Sequence, residues 1–446
     1  MPPPGPDTPF EIGLVMAGAI SAGAYTAGVI DCFIQALDAW YAAKAAGVAD
    51  CPPHEVKLKV LTGASAGGMT AGLTAGLLCE RFGHVTAAMP DGATNNRLYE
   101  SWVKSIDITA LLGAEDMSDT KRPLPSVLDS SVIRTIANHA FDYEDSSPPP
   151  PRPYLADPLR VLLTVTNLRG VPYRITFENG QSIGYEMMLH ADYMDFALGS
   201  QADSAPPSVV RLAPRGYRDE QTAGPWRKLA EAAVATGAFP IGLAPEQLDR
   251  KATDYLHRLA VMPSFPPELM EYQFESVDGG VMDNEPIELA RQILAWEEPH
   301  PERRAVLERQ PHLATRAVVL IMPFPRDKPF PPQDPLNQYP SLFRVGGRTF
   351  SSLIAQARFK ADELERAADP GVYSQFLITP ARYNEQGQRQ EYAIASGSVE
   401  GFGGFLSRAF RAHDYQLGRR NCQYFLARYF ARATASLFQG HRVTFS

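Results

Sequence analysis

The stretch that constrains this chain most is residues 60–68, Val-Leu-Thr-Gly-Ala-Ser-Ala-Gly-Gly. A strand pattern leads into it, and a small-residue helix pattern follows over Met69–Leu78. A strand that turns sharply into a helix strains the residue at the bend and leaves no room for side chains beside it. Gly63 and Gly67 flank Ser65 in this way, so the pattern predicts a nucleophile elbow with Ser65 at its apex. The helix start adds N–H groups and a positive dipole end that favour an oxyanion beside the serine.

The composition excludes several functional classes. With 446 residues, of which 45% are hydrophobic, the chain can form one large α/β domain with insertions, or two or three domains. The net charge is −8 and no Lys/Arg-rich run occurs, so nucleic-acid binding has no electrostatic support. The four cysteines lack C-x-x-C spacing, which argues against zinc and against a disulfide framework and fits a reducing cytosol. The sequence therefore predicts no metal and no cofactor.

Two charge-free stretches, Ile12–Ile30 and Val60–Cys79, are long enough to cross a bilayer. Both are dominated by Gly, Ala, Ser and Thr and divide into strand, turn and helix, which favours a buried α/β core. The N-terminal residues 1–6 lack the basic and apolar regions of a signal peptide. We therefore expect a cytoplasmic protein, with peripheral attachment to the inner face of a membrane as a further option.

The order of the predicted elements is typical of an α/β fold. A strand at Glu11–Met16 and a helix over Ala24–Ala46 precede the elbow, and this order predicts adjacent parallel strands covered by helices. A turn at residues 168–170 would join two of the later strands as a pair. The later strands are predicted at Leu159–Asn167, Val171–Phe177, Phe274–Val277, Ala317–Met322 and Gln375–Thr379. The later helices are predicted at Leu98–Ile106, Ser130–Ala140, Trp226–Thr236, Pro286–Trp296 and about 342–367 and 402–432.

Two further motifs follow predicted strands. The loop Gly18–Gly23 opens a long helix but lacks the Lys-Ser/Thr of a P-loop and the dinucleotide fingerprint. Its backbone N–H groups could point at an oxyanion, and tight strand–helix packing is the alternative interpretation. Asp278, followed by Gly279 and Gly280, ends another strand, where functional groups gather in α/β sheets, although Asp-Gly-Gly is also a common turn. Three such junctions in one chain favour a shared site.

These motifs occur in the same order in the patatin-like phospholipase family, which the chain resembles over about residues 10–325. The resemblance rests on GAISAGAYTAG at Gly18–Gly28, GASAGG at Gly63–Gly68, AVATGAFP at Ala233–Pro240, and Asp278-Gly279-Gly280. It implies an α/β fold, a three-layer α/β/α sandwich with a mostly parallel central sheet and helical insertions. It also implies a lipid acyl hydrolase of the phospholipase A type, which cleaves carboxyl esters of membrane lipids. The implied partners are a phospholipid or other acyl-ester lipid and a transient membrane surface.

The resemblance implies a Ser/Asp dyad without histidine. Ser65 would be the nucleophile and Asp278 the base, with Gly279 and Gly280 completing the acid motif. The oxyanion-binding residues would be Gly18, Ala19, Ile20 and Gly23. The family loop usually reads Gly-Gly-Gly-x-Arg-Gly, whereas here Ala19 and Ile20 replace two glycines and Ala22 stands at the arginine position. Backbone donors survive these changes where the dihedral angles permit, but Ile20 would be costly at a positive φ.

The resemblance and the composition together predict three parts of the chain. Residues 1–9 are expected to be a disordered Pro-rich tail, and residues 10–330 the patatin-like catalytic domain. An insertion over about 84–158 interrupts that domain, and its acidic and proline-rich segment Asp142–Pro153 is a candidate for a lid. Residues 331–446 are expected to be a helical extension packed on the core.

Three alternatives stay open at this point. A histidine triad would take its histidine after the acid, and of His300, His312, His413 and His441 only His413 lies in a firmly predicted helix. A soluble esterase or thioesterase would use the same dyad on another ester. A catalytically silent lipid-binding protein of the same fold is the third alternative, and the altered Gly18–Gly23 loop favours it.

Overall fold

A mixed, mostly parallel sheet forms the centre of the fold in the computed structural model. The structure describes residues 8–49, 51, 54–86, 92, 94–117, 123–141, 150–176, 184–214, 220–258, 263–296, 309–310, 313–325, 341–357, 365, 369, 371–372 and 374–430. The strands are β1 (Phe10–Met16), β2 (Val56–Gly63), β3 (Leu155–Thr176), β4 (Gly184–Leu198), β5 (Val210–Leu212), β6 (Glu246–Lys251), β7 (Glu271–Asp278), β8 (Arg316–Ile321) and β9 (Gln375–Ile378). Their order is β5-β4-β3-β2-β1-β8-β9, and β7 pairs with both β3 and β6 off this path.

The central strands run parallel, as the order of the first predicted elements indicates. β1 pairs in parallel with β2 and β8, β2 with β3, and β8 with β9. β4 and β7 run antiparallel to β3, which makes the sheet mixed. The predicted α/β class with a mostly parallel sheet is therefore confirmed.

Helices cover both faces of this sheet. The longer helices are α1 (Gly23–Ala45), α2 (Ala66–Leu77), α3 (Ser131–Phe141), α4 (Glu220–Thr236), α5 (Ile287–Trp296), α6 (Leu342–Ala357) and α7 (Arg408–Phe425). Shorter helical segments are Ile20–Ala22, Arg97–Tyr99, Glu100–Ser105, Ile108–Leu111, Glu115–Met117, Ala202–Ser204, Ala252–His257, Gly279–Val281, Ala395–Gly397, Val399–Gly401, Gly403–Leu406 and Leu426–Phe430.

The alternation of side chains along β1 explains the three layers. Successive residues of a strand point to opposite faces of a sheet. Ile12 and Leu14 belong to the core shared with α1, α2 and α4. Val15, which points to the opposite face, belongs to a second core formed with α5. One sheet therefore separates two apolar layers, and the predicted sandwich is confirmed.

The first helix carries one of the two predicted charge-free stretches into the core. In the described part of the chain, one helical stretch, Ile20–Ala45, is long and apolar enough to cross a membrane by length and composition. Its most apolar window is 83% buried inside the fold, and the core helix of a globular protein passes the same test. The burial favours the interpretation as a core helix.

The prediction of a strand pair around residues 168–170 is wrong. The two predicted segments form one continuous strand, β3, which pairs with β4 on both sides of a register shift between Thr166 and Val171. Gly170 has a φ of +81°, and its N–H donates to the side chain of Asn167 at 2.8 Å. These are the local features of a turn, used here to form a bulge within a strand.

Candidate active site

The elbow between β2 and α2 holds Ser65 in a strained conformation. Ser65 has φ 52° and ψ −130°, and it is 8% exposed. The backbones around it approach so closely that side chains do not fit. A Cβ atom at Gly67 would lie 2.1 Å from the carbonyl oxygen of Met16, and one at Gly63 would lie 2.5 Å from the carbonyl carbon of Gly67. Both predicted elbow glycines are therefore required by space.

A threonine at the end of α4 supports this conformation. The backbone N–H of Ser65 donates to Oγ1 of Thr236 at 3.0 Å, and Thr236 is fully buried. The same side chain packs against the elbow, because a Cβ atom at Gly68 would lie 2.6 Å from its Cγ2. The sequence placed Thr236 inside the AVATGAFP segment of the family resemblance but gave it no role. The structure shows that this segment supplies the acceptor for the amide of Ser65.

Ser65 and Asp278 meet in one hydrogen bond, although 213 positions separate them in the chain. Oγ of Ser65 donates to Oδ2 of Asp278 at 2.6 Å. The other carboxylate oxygen, Oδ1, accepts from the N–H of Gly280 at 2.6 Å. Asp278 is 3% exposed. A nucleophile in hydrogen-bond contact with a fixed carboxylate is the geometry that a Ser/Asp dyad needs.

The backbone of Asp278 is fixed as firmly as its carboxylate. Its N–H donates to the carbonyl of Ala238 at 2.9 Å, and its own carbonyl accepts from Oγ1 of Thr166 at 2.8 Å. A Cβ atom at Gly279 would lie 2.1 Å from the carbonyl oxygen of Thr164, so only glycine fits directly after the acid. The end of β7 is thus held between β3 and the chain that follows α4.

The loop Gly18–Gly23 lies beside Ser65. Its residues differ in their contacts: one amide is hydrogen-bonded, one glycine is closely packed, and one side chain lines the pocket. The Gly18 N–H donates to the carbonyl of Asn284 at 3.1 Å, so this amide is already engaged. A Cβ atom at Gly23 would lie 2.4 Å from the ring of Trp102, which makes Gly23 a position of close packing at the start of α1. Ile20 has a φ of +46° and lines the same pocket as Ser65.

Three backbone N–H groups of the loop and the elbow are the candidates for an oxyanion hole. Outside the bonds within helices and strands, no described backbone carbonyl accepts from the amides of Ala19, Ile20 or Ala66. Ala66 follows the nucleophile and begins α2, where the helix dipole favours negative charge. One of these amides comes from the elbow and two come from the loop, as an oxyanion hole built from both segments requires.

The dyad opens on an apolar pocket. Its space not filled by atoms is about 560 Å³, including the part open to solvent. Besides the dyad, the predicted insertion contributes Ile106, Leu111, Leu128 and Ile133, and the C-terminal part of the chain contributes Phe402 and Phe405. The sequence analysis assigned no site residue to either region. Residues 142–149 of the proposed lid segment lie outside the described residues.

Neither a metal nor a histidine belongs to this pocket in the described structure. The described residues contain no group of three or more His, Cys, Asp or Glu that could hold a metal ion. His413 contacts Asp414 on α7, with its Nδ1 2.8 Å from Oδ1, and is not among the described residues that line the pocket. His300, His312 and His441 lie outside the described residues. Within the described residues, Ser65 and Asp278 are the two side chains that this pocket brings into hydrogen-bond contact.

Comparison with known proteins identifies the family of this chain. The sequence matches the family described as "Patatin-like phospholipase" over residues 14–291, which is more than half of the chain. The chain belongs to the patatin-like phospholipase family.

Two individual relatives extend the comparison. The chain is 39% identical to "Uncharacterized protein y4iI" of Sinorhizobium fredii (strain NBRC 101917 / NGR234) over 470 aligned positions, covering 94% of this chain and 64% of that protein. It thus spans less than two thirds of that relative's length. Among solved structures it is similar to VipD from Legionella pneumophila, with 13% identity, a TM-score of 0.29, and coverage of 94% of this chain and 67% of that one.

Proposed function

We propose that this chain is a lipid acyl hydrolase of the phospholipase A type, which cleaves carboxyl esters of membrane lipids. The observation that carries the proposal is the 2.6 Å hydrogen bond between Ser65 and Asp278 at the base of an apolar pocket. An alkoxide nucleophile needs an adjacent base, and an acyl chain needs a surface from which water is displaced. The hydrogen-bonded carboxylate and the apolar pocket at Ser65 support both requirements.

The reaction proceeds in two steps. Asp278 takes the proton of Ser65 as Oγ attacks the ester carbonyl, and the amides of Ala19, Ile20 and Ala66 stabilise the tetrahedral oxyanion. Asp278 then gives the proton to the departing alcohol, which leaves an acyl-enzyme on Ser65. Water, deprotonated by the same carboxylate, attacks this ester, and the fatty acid leaves as Oγ regains its proton.

A second cavity extends the space for an acyl chain. It has about 390 Å³ of space not filled by atoms, including the part open to solvent, and a mostly apolar lining, and it lies between α2, α3 and α4. Four residues line both this cavity and the catalytic pocket, namely Met69, Trp102, Ile106 and Ile133. Because these side chains form a common wall, small rotations of them would join the two spaces. This arrangement favours a long acyl chain over a short one.

Exposed apolar side chains lie in the chain close to residues that line the catalytic pocket, such as Leu128, Gly242 and Phe402, which supports a membrane surface as partner. Ile241 is 74% exposed and Val399 is 66% exposed. Both hold positive φ values, +71° and +52°, which are unfavourable for β-branched residues. Phe239, which contacts the ring of Phe402 at a centroid distance of 6.0 Å, and Val127 continue this surface. These four exposed residues, Val127, Phe239, Ile241 and Val399, are called the rim below.

The rim and the net charge together suggest how the membrane is reached. The rim residues are uncharged, and the chain carries a net charge of −8, which disfavours electrostatic attachment to anionic lipid. Insertion of apolar side chains into the interface would then supply the contact. We extend the proposal to a cytoplasmic location with transient, peripheral attachment at the inner face of a membrane.

The test combines a covalent probe with lipid products. A fluorophosphonate should label the wild-type protein and fail to label Ser65→Ala. Asp278→Asn should slow labelling by about 10²-fold or more, the usual contribution of a general base. Asp249→Asn is the matched control, because that exposed carboxylate on β6 lies away from the pocket. Absence of labelling in the wild type would favour the silent lipid-binding alternative.

A second experiment compares lipid vesicles with soluble esters as substrates and so tests the substrate class. Mass spectrometry should detect free fatty acid and lysolipid released from phosphatidylcholine vesicles by the wild type and not by Ser65→Ala. Hydrolysis of a soluble short-chain ester or thioester, without release from vesicles, would instead identify the esterase or thioesterase alternative.

A further inference from the structure

The oxyanion loop is attached to a part of the chain that lies outside the family match. Ser21, directly after Ile20, is fully buried, and its Oγ donates to the carbonyl of Gly401. The same Oγ accepts from the N–H of Gly404 at 3.0 Å. The family match ends at residue 291, so these partners come from the C-terminal part of the chain. We call residues 398–406 the C-terminal strap.

The strap fits the loop with no spare room. A Cβ atom at Gly404 would lie 2.6 Å from Oγ of Ser21, and one at Gly401 would lie 3.3 Å from Cδ1 of Ile20. The strap therefore contacts both the polar and the apolar side chain of the loop. Phe402 and Phe405 project from the same segment into the catalytic pocket.

Buried contacts fix the strap to the core. Arg411 on α7 is 1% exposed, and it donates from Nε to the carbonyl of Val103 at 3.1 Å and from Nη1 to that of Gly404 at 2.8 Å. One turn further on, α7 touches α1 backbone to backbone, since a Cβ atom at Gly28 would lie 1.9 Å from the carbonyl oxygen of Tyr415. The strap is thus held by a rigid helix pair rather than by the loop alone.

We propose that the C-terminal strap is a working part of the catalytic site, and that Ser21 is the positioning residue through which it acts. A β-branched residue at a φ of +46° relaxes unless its surroundings prevent it. The two hydrogen bonds of Ser21 fix the residue next to Ile20, so they hold the loop amides beside Ser65. Ala22 stands where the family usually has an arginine, and the strap supplies the anchorage that this loop needs. The proposal rests on the proposed acyl-hydrolase function.

The first experiment separates positioning from folding. Ser21→Ala removes both hydrogen bonds of the side chain. We expect kcat for a soluble short-chain ester, counted per site titrated with a fluorophosphonate, to fall about 10- to 100-fold, with KM changed less than about threefold. Labelling should slow in parallel, because the probe's phosphoryl oxygen uses the same amides. Ser21→Cys, which keeps a weaker donor and acceptor, should give an intermediate kcat.

The matched control removes a hydrogen bond between α1 and α7, the helices that follow the loop and the strap, without touching either. Tyr25 Oη donates to Oδ1 of Asn421 at 3.0 Å, linking α1 to α7 one turn beyond Ser21. Tyr25→Phe should lower the melting temperature, because a partly buried hydrogen bond is lost, while kcat per titrated site stays within about threefold of wild type.

The outcomes are distinguishable. An active wild type with an unchanged kcat per titrated site in Ser21→Ala overturns the role of the strap and leaves the proposed function standing. The strap's role is likewise overturned if Tyr25→Phe and Ser21→Ala lower kcat equally, since both would then act through general destabilisation. A wild type that neither labels nor hydrolyses any ester overturns the proposed function and this proposal with it. Should Ser21→Ala not fold, Ser21→Cys decides alone by the same kcat criterion.

Discussion

Replacing Thr236 with valine removes the acceptor that holds the nucleophile's amide and keeps the shape of the side chain. The Ser65 N–H, which donates to Thr236 at 3.0 Å, would lose its partner in a buried place. A buried donor without an acceptor costs about 1–3 kcal/mol. The positive φ of Ser65 stores strain of about 1–3 kcal/mol as well. The loss is therefore large enough to let the elbow relax.

The expected consequence is a displaced hydroxyl group. A nucleophile that moves by about 1 Å from its reactive position loses up to about 10²-fold in rate. We expect Thr236→Val to slow fluorophosphonate labelling by about 10- to 100-fold and to lower the melting temperature. The labelling rate under excess probe measures the first effect, and thermal unfolding measures the second.

Thr70→Val is the matched control for this variant. Thr70 is also fully buried, and its hydroxyl donates to the carbonyl of Ala66 at 2.8 Å within α2. Its removal leaves no N–H group without an acceptor, so labelling should stay within about threefold of wild type. Equal labelling rates for Thr236→Val and the wild type would refute the idea that Thr236 holds the elbow.

Three further predictions concern packing, pH and the rim. Gly67→Ala should prevent folding, because the new Cβ atom would lie 2.1 Å from a carbonyl oxygen of β1. Gly72→Ala, in the same helix but with its nearest neighbours at 3.4 Å, should gain up to about 1 kcal/mol of stability from helix propensity, and thermal unfolding compares the two. Burial lowers the pKa of His54 from 6.5 to about 4, so the unfolded state binds a proton first as the pH falls below 6.5. The free energy of unfolding should then drop by about 1–2 kcal/mol between about pH 7 and pH 5, and His54→Phe, followed by urea unfolding, should lack this drop. Ile241→Asn combined with Val399→Asn should lower vesicle hydrolysis about tenfold, because partial insertion forfeits roughly half of the 1.5–3 kcal/mol that each large apolar side chain gains on burial. The melting temperature of this double variant should hold or rise, since asparagine tolerates positive φ better, and unchanged vesicle hydrolysis would contradict a membrane contact at the rim.

The sequence predicted the part of the site that is formed by residues close together in the chain, namely the elbow around Ser65. The strand, the glycines and the helix around Ser65 are neighbours in sequence, so the elbow could be inferred from steric argument alone. The partnership with Asp278 needed the family resemblance, because nothing local tells which of many strand ends meets the elbow. The structure then brings Ser65 and Asp278 into hydrogen-bond contact.

The features that the sequence did not reveal depend on distant contacts. Ser21 meets Gly401 across 380 positions, and no periodicity or motif links the two. In the sequence, Thr236 was part of the segment AVATGAFP, but no feature of the sequence indicated its role. At Gly170 the sequence correctly indicated a residue with turn-like geometry but did not reveal that it forms a bulge. A register shift inside a long strand needs the same positive φ as a hairpin turn, so the two cannot be distinguished from the sequence.

The distribution of backbone strain bears on whether this site is active or silent. Among the described residues, the non-glycine positions with positive φ are Ile20, Ser65, Ile241 and Val399, and all four belong to the nucleophile, the oxyanion loop or the rim. Such conformations persist only where the surroundings over-determine them. At Ile20, the residue that most departs from the family loop, the strap supplies that constraint through the neighbouring serine. A loop without a function would need neither the strain nor a buried anchor, so this pattern supports the proposed oxyanion hole, with the strap in place of the family's arginine as its support.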